Sequence, residues 1–195
     1  MNQELTDTLA DATRWELFLQ GNEQAFEQLY RRYYPVLFNY GYRVTNDQSL
    51  TREAIQQLFV KLWTNRAGLS ATPHVKQYLF KAFRNHLFSL QEKYRKELSV
   101  DEDEIHLVQD SREEKIIRLE TAHHNAQKLQ EMLSTLTPRQ KEAIQLRFFS
   151  NLSYEEIAGI MEMQVGGTYK LIYRALERLR ESTPIFFMIC YWLCY

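Results

Sequence analysis

Two helix-start signals in the last third of the chain constrain its fold more than any other feature. In the first signal, Thr137 precedes Pro138 and Gln140. In the second, Ser153 precedes Glu156 by three residues. Each is a capping box, in which a hydroxyl and a longer side chain satisfy free backbone amides at the start of a helix. We therefore expect one helix to begin at Pro138 and another directly after Ser153.

A further helix is predicted after the second signal. Its apolar positions follow one stripe: Ile172, Ala175, Leu176 and Leu179. The opposite face carries Gly167, Lys170, Leu171, Arg174 and Arg178. This order of elements predicts a helix-turn-helix whose last helix presents a basic face to a DNA major groove. On this segment alone, a helical bundle with a solvated charged surface explains the same pattern.

Composition favours an all-α protein of one or two domains. The chain has 195 residues, 45% of them hydrophobic and 25% charged, with only 6 Gly and 4 Pro. Long stretches without either helix breaker favour helices over strands and turns. The first thirty residues mix acidic and basic side chains and lack the apolar core of a signal peptide. We therefore expect a cytoplasmic protein.

The cysteines do not predict a disulfide framework or a metal site. Cys190 and Cys194 both lie in an apolar tail over 184–195, and His123 and His124 lie in a charged segment. No arrangement of these residues matches zinc-ligand spacing, so we expect no metal and no cofactor. The tail is shorter than the ~20 residues that cross a bilayer. It would pack on the domain, meet a partner or insert superficially into a membrane.

Three helices are predicted in the N-terminal half. Apolar residues recur at helical spacing after Gly21 and continue past Pro35, which predicts a first long helix with a kink or break at the proline. A second helix is expected over about 51–65 and a third over about 74–96.

The third of these helices carries an unusual second stripe. Phe80 and Phe88 bracket Arg84 on the side opposite the apolar stripe, and further polar and basic residues lie close by: Lys76, Lys81 and Asn85. Exposed aromatic rings beside cations can stack unpaired bases while neutralising phosphates. The alternative is that both rings pack against the first helix and the cations are solvated.

Charge is segregated along the chain although the net charge is only −1. Residues 74–97 contain six Lys or Arg and two acids, whereas residues 101–114 contain seven acids and one Arg. So acidic a segment cannot pack by itself. It predicts a flexible acidic linker between two helical domains.

Five segments resemble a bacterial RNA polymerase sigma factor of the extracytoplasmic-function (ECF) group of the sigma-70 family: 25–35, 54–63, 78–85, 152–158 and 173–180. The resemblance implies a promoter-melting and polymerase-binding domain over 1–97 (region 2) and a linker over 98–120. It also implies a helix-turn-helix domain over 121–183 (region 4), followed by the tail at 184–195. The fold class is then all-α, with two helical domains.

The resemblance also implies three binding surfaces. Core polymerase is expected to contact the second helix at Glu53, Gln56, Gln57, Phe59, Lys61 and Leu62. Minus-10 DNA is expected at Lys76, Phe80, Lys81, Arg84, Asn85 and Phe88. Minus-35 DNA is expected at Gly167, Thr168, Lys170, Leu171, Arg174 and Arg178. Partners are core RNA polymerase, double-stranded and melted promoter DNA, and an anti-sigma factor that can be membrane-bound.

Two other classes of function compete with this hypothesis. The capping boxes also resemble the output domain of two-component response regulators, which would place an alternating strand-helix receiver upstream. A helical enzyme or adaptor is the other alternative. The sequence contains no glycine-rich phosphate loop, nucleophile elbow or paired His-Glu metal motif, so we expect no catalytic residues.

Overall fold

The structure, a computed structural model, describes residues 2–98 and 135–181. Within these ranges the protein is all-α, without a strand, as predicted. Four helices form the N-terminal bundle: α1 (Asn2–Leu19), α2 (Glu23–Thr45), α3 (Gln48–Thr64) and α4 (Val75–Leu98). Three helices form the C-terminal bundle: α5 (Pro138–Ile144), α6 (Tyr154–Met161) and α7 (Val165–Glu181). A 3-10 turn (Arg66–Gly68) follows α3, and a π-helical turn (Gln145–Phe149) follows α5.

Helix α1 was not predicted. It packs along α2, where the Phe18 ring stacks on Phe26. Trp15, also almost fully buried, meets the Tyr78 ring of α4 and donates a hydrogen bond from its indole to the Ser70 carbonyl at 3.1 Å. Its leucines do not follow one stripe, since Leu9 and Leu17 are exposed, so its sequence shows weak helical periodicity. Gly21, at φ +89°, then makes the left-handed turn into α2.

The boundaries of the next helices follow their caps. Helix α2 continues through Pro35 without a break, contrary to one of the two expectations. The Asp47 carboxylate accepts the Leu50 amide at 2.9 Å, so α3 begins at Gln48, slightly before the predicted start. Helix α4 begins at Val75 and ends at Leu98, close to the predicted bounds.

Both capping boxes of the C-terminal bundle are confirmed. The Gln140 amide donates to the Thr137 hydroxyl at 3.3 Å, and the Glu156 amide donates to the Ser153 hydroxyl at 3.1 Å. Glu162, in the left-handed region at φ 54°, ends α6 and turns the chain into α7. The helix-turn-helix predicted from these signals is therefore present.

The two bundles pack against each other, chiefly α6 against α4, and their apolar residues form one continuous core. None of the helices in the described ranges is long and apolar enough to cross a membrane. The same ranges hold no group of three His, Cys, Asp or Glu side chains that could bind a metal ion. The predicted acidic linker and apolar tail, and with them both cysteines and His123-His124, lie outside the described residues.

Candidate nucleic-acid and polymerase interfaces

The predicted minus-10 surface is only partly exposed. Phe80 is 0% exposed and its ring packs 5.6 Å from the Tyr40 ring of α2, so the expectation of an exposed aromatic ring is wrong at this position. Phe88 is half-buried and lies under the Arg84 guanidinium, 4.9 Å from it. The exposed stripe therefore has one aromatic ring rather than two. Phe80 is buried because the Tyr40 ring of α2 packs against it. Sequence periodicity does not show which side chain of α2 meets α4, so it could not predict this contact.

Three basic side chains in the first half of α4 contact the C-terminal bundle: Lys76, Lys81 and Arg84. Arg84 makes a bidentate pair with Glu142 of α5, with Nε at 2.6 Å from Oε1 and a terminal nitrogen at 3.2 Å from Oε2. Lys81 lies 3.3 Å from a carboxylate oxygen of Glu162. Asn85 is exposed. We name these residues the α4 face: Lys76, Lys81, Arg84, Asn85 and Phe88.

Titration at this interface follows from burial and charge. The Tyr40 hydroxyl donates a 2.6 Å hydrogen bond to Glu142, and burial together with that carboxylate raises the pKa of Tyr40 well above its ordinary value. Burial disfavours the Arg84 cation, but the hydrogen bonds and charge of Glu142 outweigh this and raise the pKa of Arg84. Both donors therefore keep their protons at physiological pH.

The predicted minus-35 residues of α7 divide into two groups. Lys170 and Arg174 are exposed on the outward face. Thr168 is 0% exposed and its hydroxyl donates to the Gln164 carbonyl at 3.3 Å, so it does not lie on that face as expected. Leu171 packs against the core, and Arg178 reaches back to the Thr135 carbonyl at 3.4 Å. The position of Thr168 one turn before Ile172 explains its burial.

Two tyrosines of α7 were missed as surface residues. Tyr173 is 63% exposed beside Arg174, and Tyr169 stacks on Tyr154 of α6 with ring centroids 3.9 Å apart. Their i, i+4 spacing places both on one stripe away from Ile172, and this was the signal that could have identified them. Aromatic residues are more often assigned to a core, which is why the pattern was overlooked.

The predicted polymerase-binding residues of α3 also face different neighbours. Gln56 and Lys61 are exposed, whereas Phe59 and Leu62 are buried in the core. Glu53 accepts a 2.7 Å hydrogen bond from the Tyr94 hydroxyl of α4. Gln57 lies 3.0 Å from the His86 ring of the same helix. Glu53 and Gln57 therefore join α3 to α4.

A partly exposed row of aromatic rings on α2, with Tyr30 and Tyr42 exposed at its ends, was also missed. The aromatic row consists of Tyr30, Tyr34, Phe38 and Tyr42, with successive ring centroids 5.5, 6.0 and 6.3 Å apart. It borders α3, where Arg52 lies over Phe38 and Val60 is 55% exposed. The i, i+4 spacing was visible in the sequence. The row thus lies beside the exposed side of α3, where Val60 stands among the polar side chains of Gln56 and Lys61.

Comparison with protein families agrees with this architecture. Residues 29–96 match sigma-70 region 2, and residues 126–179 match sigma-70 region 4. Together the two matches span more than half of the chain. The first covers α3 and most of α2 and α4, and the second covers the helix-turn-helix. The receiver expected of a response regulator is not favoured, because α1–α4 contain no strand.

Individual relatives point to the same family. The chain is 23% identical over 155 residues to the ECF RNA polymerase sigma factor SigM of Bacillus subtilis (strain 168), covering 79% of this chain and 92% of SigM. It is 26% identical over 166 residues to the RNA polymerase sigma factor YlaC of the same organism, covering 83% and 93%. The sigma factor RpoE of Bartonella quintana, solved with the anti-sigma factor NepR, has a similar fold. Its TM-score is 0.62 at 23% identity, covering 80% of this chain and 95% of RpoE. The chain therefore belongs to the ECF group of the sigma-70 family and is a promoter-directing subunit of RNA polymerase.

Proposed function

We propose that the chain performs this promoter-directing role through three separate surfaces. They are the outward face of α7, the α4 face, and the aromatic row with the outer side of α3. The observation that carries the proposal is the helix-turn-helix with both capping boxes formed and the basic side of α7 exposed. Such a helix can enter a major groove without rearrangement of its own bundle.

For the minus-35 element, we propose contacts from Lys170 and Arg174, with Tyr173 beside them. Lysine and arginine neutralise phosphates or donate to guanine, and an exposed tyrosine can contact either the backbone or a base edge. Gly167 lies near the start of the helix, where a small residue lets DNA approach the backbone. We do not include Thr168, Leu171 and Arg178 among the proposed contacts, because their side chains contact their own bundle.

For the minus-10 element, we propose the α4 face. Phe88 can stack on an unpaired base, while Arg84 and Lys81 neutralise the adjoining phosphates. Phe80 supports this face from the core beneath it, through its contact with Tyr40. The cations reach DNA only if they leave their partners in the C-terminal bundle, because Arg84 cannot satisfy Glu142 and a phosphate with the same bidentate geometry.

For core polymerase, we propose a surface made of Gln56, Val60 and Lys61 on α3 together with the aromatic row. Aromatic residues flanked by polar groups are typical of protein interfaces, where Tyr and Trp are enriched among the residues that contribute most of the binding energy. Glu53 and Gln57 would then act indirectly, by fixing α3 against α4.

The remaining parts of the proposal follow from the family. Sigma factors in general are not enzymes, and we propose that this chain likewise has no catalytic activity and works in the cytoplasm, where promoters lie. The boundaries 1–97, 98–120, 121–183 and 184–195 remain a proposal for the domain organisation. The complex of RpoE with NepR supports an anti-sigma factor as a further partner.

The polymerase-binding surface can be tested with the full chain and core RNA polymerase that lacks its own sigma subunit. The expected result is co-elution of the wild-type chain, weakened at least tenfold in affinity by Val60→Asp, because a charge would be buried at an apolar contact. Leu9→Asp is the matched control, since Leu9 is also exposed, at 69%, but lies on α1. Equal affinities for both variants would contradict the proposed surface.

A further inference from the structure

A cavity of about 640 Å³ lies between helices α2, α4 and α5. Its volume is in the range of small-molecule sites in proteins, about 300–1,000 Å³. Promoter recognition as proposed above gives this cavity no ligand. Its walls combine charged, aromatic and amide side chains, and these groups indicate what kind of molecule would fit.

The walls of the cavity are positively charged. Four cations line it, whereas Glu142 is the one acid among the described residues that do so. The Glu142 carboxylate is 4% exposed and is already paired with Arg84, 2.6 Å away. The other three cations are exposed and make no ion pair within the part of the chain that the structure describes: Arg43, Arg139 and Lys141. Because the whole chain has a net charge of −1, this positive charge is a local feature that favours an anion.

Two phenylalanine rings in the same walls each carry a guanidinium. The Arg43 guanidinium lies 4.0 Å from the centre of the Phe149 ring, and the Arg84 guanidinium lies 4.9 Å from the centre of the Phe88 ring. An arginine held over a ring can still donate to phosphate oxygens. Aromatic rings and guanidinium planes are also the groups on which nucleotide bases stack. Cations and rings together suit a ligand that has both phosphates and a base.

Gln145 adds a buried polar group to the cavity. It is 6% exposed and lines the cavity, but its side-chain amide makes no hydrogen bond with the residues that the structure describes. Buried amides are usually hydrogen-bonded, because burial without a partner costs free energy. Gln145 belongs to the π-helical turn that also carries Phe149, and such turns are frequent at functional sites. A base edge would provide the Gln145 amide with donors and acceptors.

We propose that this cavity binds a purine nucleoside di- or triphosphate. Arg43, Arg139 and Lys141 contact the phosphates, Phe149 stacks on the base, and Gln145 hydrogen-bonds to it. A purine has a larger face for stacking than a pyrimidine, which favours it against the ring. The proposal goes beyond promoter recognition, since it assigns a small-molecule ligand to the chain.

Isothermal titration calorimetry of the full chain, in a buffer without phosphate, tests this proposal. The probes are ATP, GTP, adenosine and inorganic triphosphate. We expect saturable binding of ATP or GTP at a single site. Adenosine lacks the phosphates and triphosphate lacks the base, so each should bind at least about tenfold more weakly than the nucleotide.

The phosphate contacts are tested with Arg43→Gln, which removes one cation from the cavity. Arg31→Gln is the matched control, because Arg31 is also an exposed arginine of α2 but pairs with Glu27. Arg43→Gln should weaken the binding of nucleotide and of triphosphate by about tenfold, whereas the control should change neither. Thermal unfolding of each variant checks that it is folded.

The base contacts are tested with Phe149→Leu and Gln145→Leu. Phe148→Leu is the control for the ring: Phe148 and Phe149 are 54% and 52% exposed on the same turn, but Phe148 is not among the described residues that line the cavity. Phe149→Leu should weaken nucleotide binding by about tenfold, with a smaller loss for triphosphate. Gln145→Leu should also weaken nucleotide binding without lowering the melting temperature, because it removes a buried amide that the fold leaves without a partner.

No saturable binding of either nucleotide to the wild-type chain would overturn the proposal. Equal affinities for nucleotide and triphosphate would overturn the claim that the site binds a base. Equal effects of the cavity variants and their controls would show that the nucleotide binds elsewhere, which would overturn the assignment of the site. None of the altered residues belongs to the proposed promoter or polymerase surfaces, so each of these outcomes is distinct from a failure of the proposed function.

Discussion

Gly41 of α2 faces Phe83 of α4 at a distance that leaves no room for a side chain. A β-carbon at position 41 would lie 2.9 Å from Cζ of Phe83 and 2.7 Å from Cγ2 of Thr51 on α3. Gly41 thus lies at a close approach of three helices of the N-terminal bundle. This contact fixes the angle between α2 and α4, and with it the position of Tyr40 beneath the α4 face.

Gly41→Ala is expected to destabilise the chain by about 1–3 kcal/mol, because overpacking forces neighbouring side chains from their rotamers. Gly68→Ala is the control, since a β-carbon there would meet nothing within 4 Å. Urea unfolding followed by circular dichroism measures both. Equal stability of the two variants would show that the core around Phe83 relaxes without cost.

The stability of the N-terminal bundle is expected to fall as the pH drops below about 6.5, because of His86. Burial and the nearby Lys61 ammonium lower the pKa of His86 below its ordinary value. The unfolded chain therefore binds this proton more readily than the folded chain does. At a pH above the ordinary pKa, the His86 ring is neutral in the folded and in the unfolded chain, so it no longer lowers the stability of the fold.

Unfolding free energies measured between about pH 5 and pH 8 would test this pH dependence, because that range brackets the ordinary histidine pKa. His86→Gln should flatten the dependence, because glutamine can keep a hydrogen bond to Gln57 but does not titrate in this range. An identical slope in this variant would assign the pH dependence to other groups.

Ser153→Ala is expected to cost about 1 kcal/mol of stability, because it removes the cap of α6. The Glu156 amide would lose its side-chain partner at the start of a short helix. Ser89→Ala, at an exposed position within α4, is the matched control and should change stability by less than about 0.5 kcal/mol. Thermal melting of the two variants distinguishes a cap from a general loss of a hydroxyl.

Arg174→Ala is expected to weaken binding to minus-35 duplex DNA and to reduce the salt slope of that binding by about 1. The change removes one phosphate contact from the proposed α7 face. Arg31→Ala removes an exposed arginine of α2 that pairs with Glu27, and it should leave both quantities unchanged. Fluorescence anisotropy titrations at several salt concentrations give the slope; an unaltered slope for Arg174→Ala would argue against a phosphate contact.

Local signals in the sequence predicted local structure well. The capping boxes at Thr137 and Ser153 identified the helix-turn-helix, since each cap depends on residues within one turn of the chain. Helix α1 escaped prediction because its apolar residues do not mark one face: Trp15 and Phe18 are buried, whereas Leu9 and Leu17 are exposed.

Features that depend on distant partners could not be predicted in this way. Periodicity placed Phe80 and Arg84 on one stripe of α4, but the neighbours of that stripe are Tyr40 and Glu142. Glu142 follows Arg84 by 58 residues, and their pairing depends on how the bundles pack. A sequence pattern defines the face of a helix, whereas tertiary packing decides what covers it.

The most direct test of the central claim is to map transcription start sites made by core RNA polymerase with the purified chain as its only sigma subunit. The account predicts initiation at discrete sites that share two sequence elements upstream of the start. Transcripts that begin at the same sites, or at the same random positions, with and without the chain would contradict it.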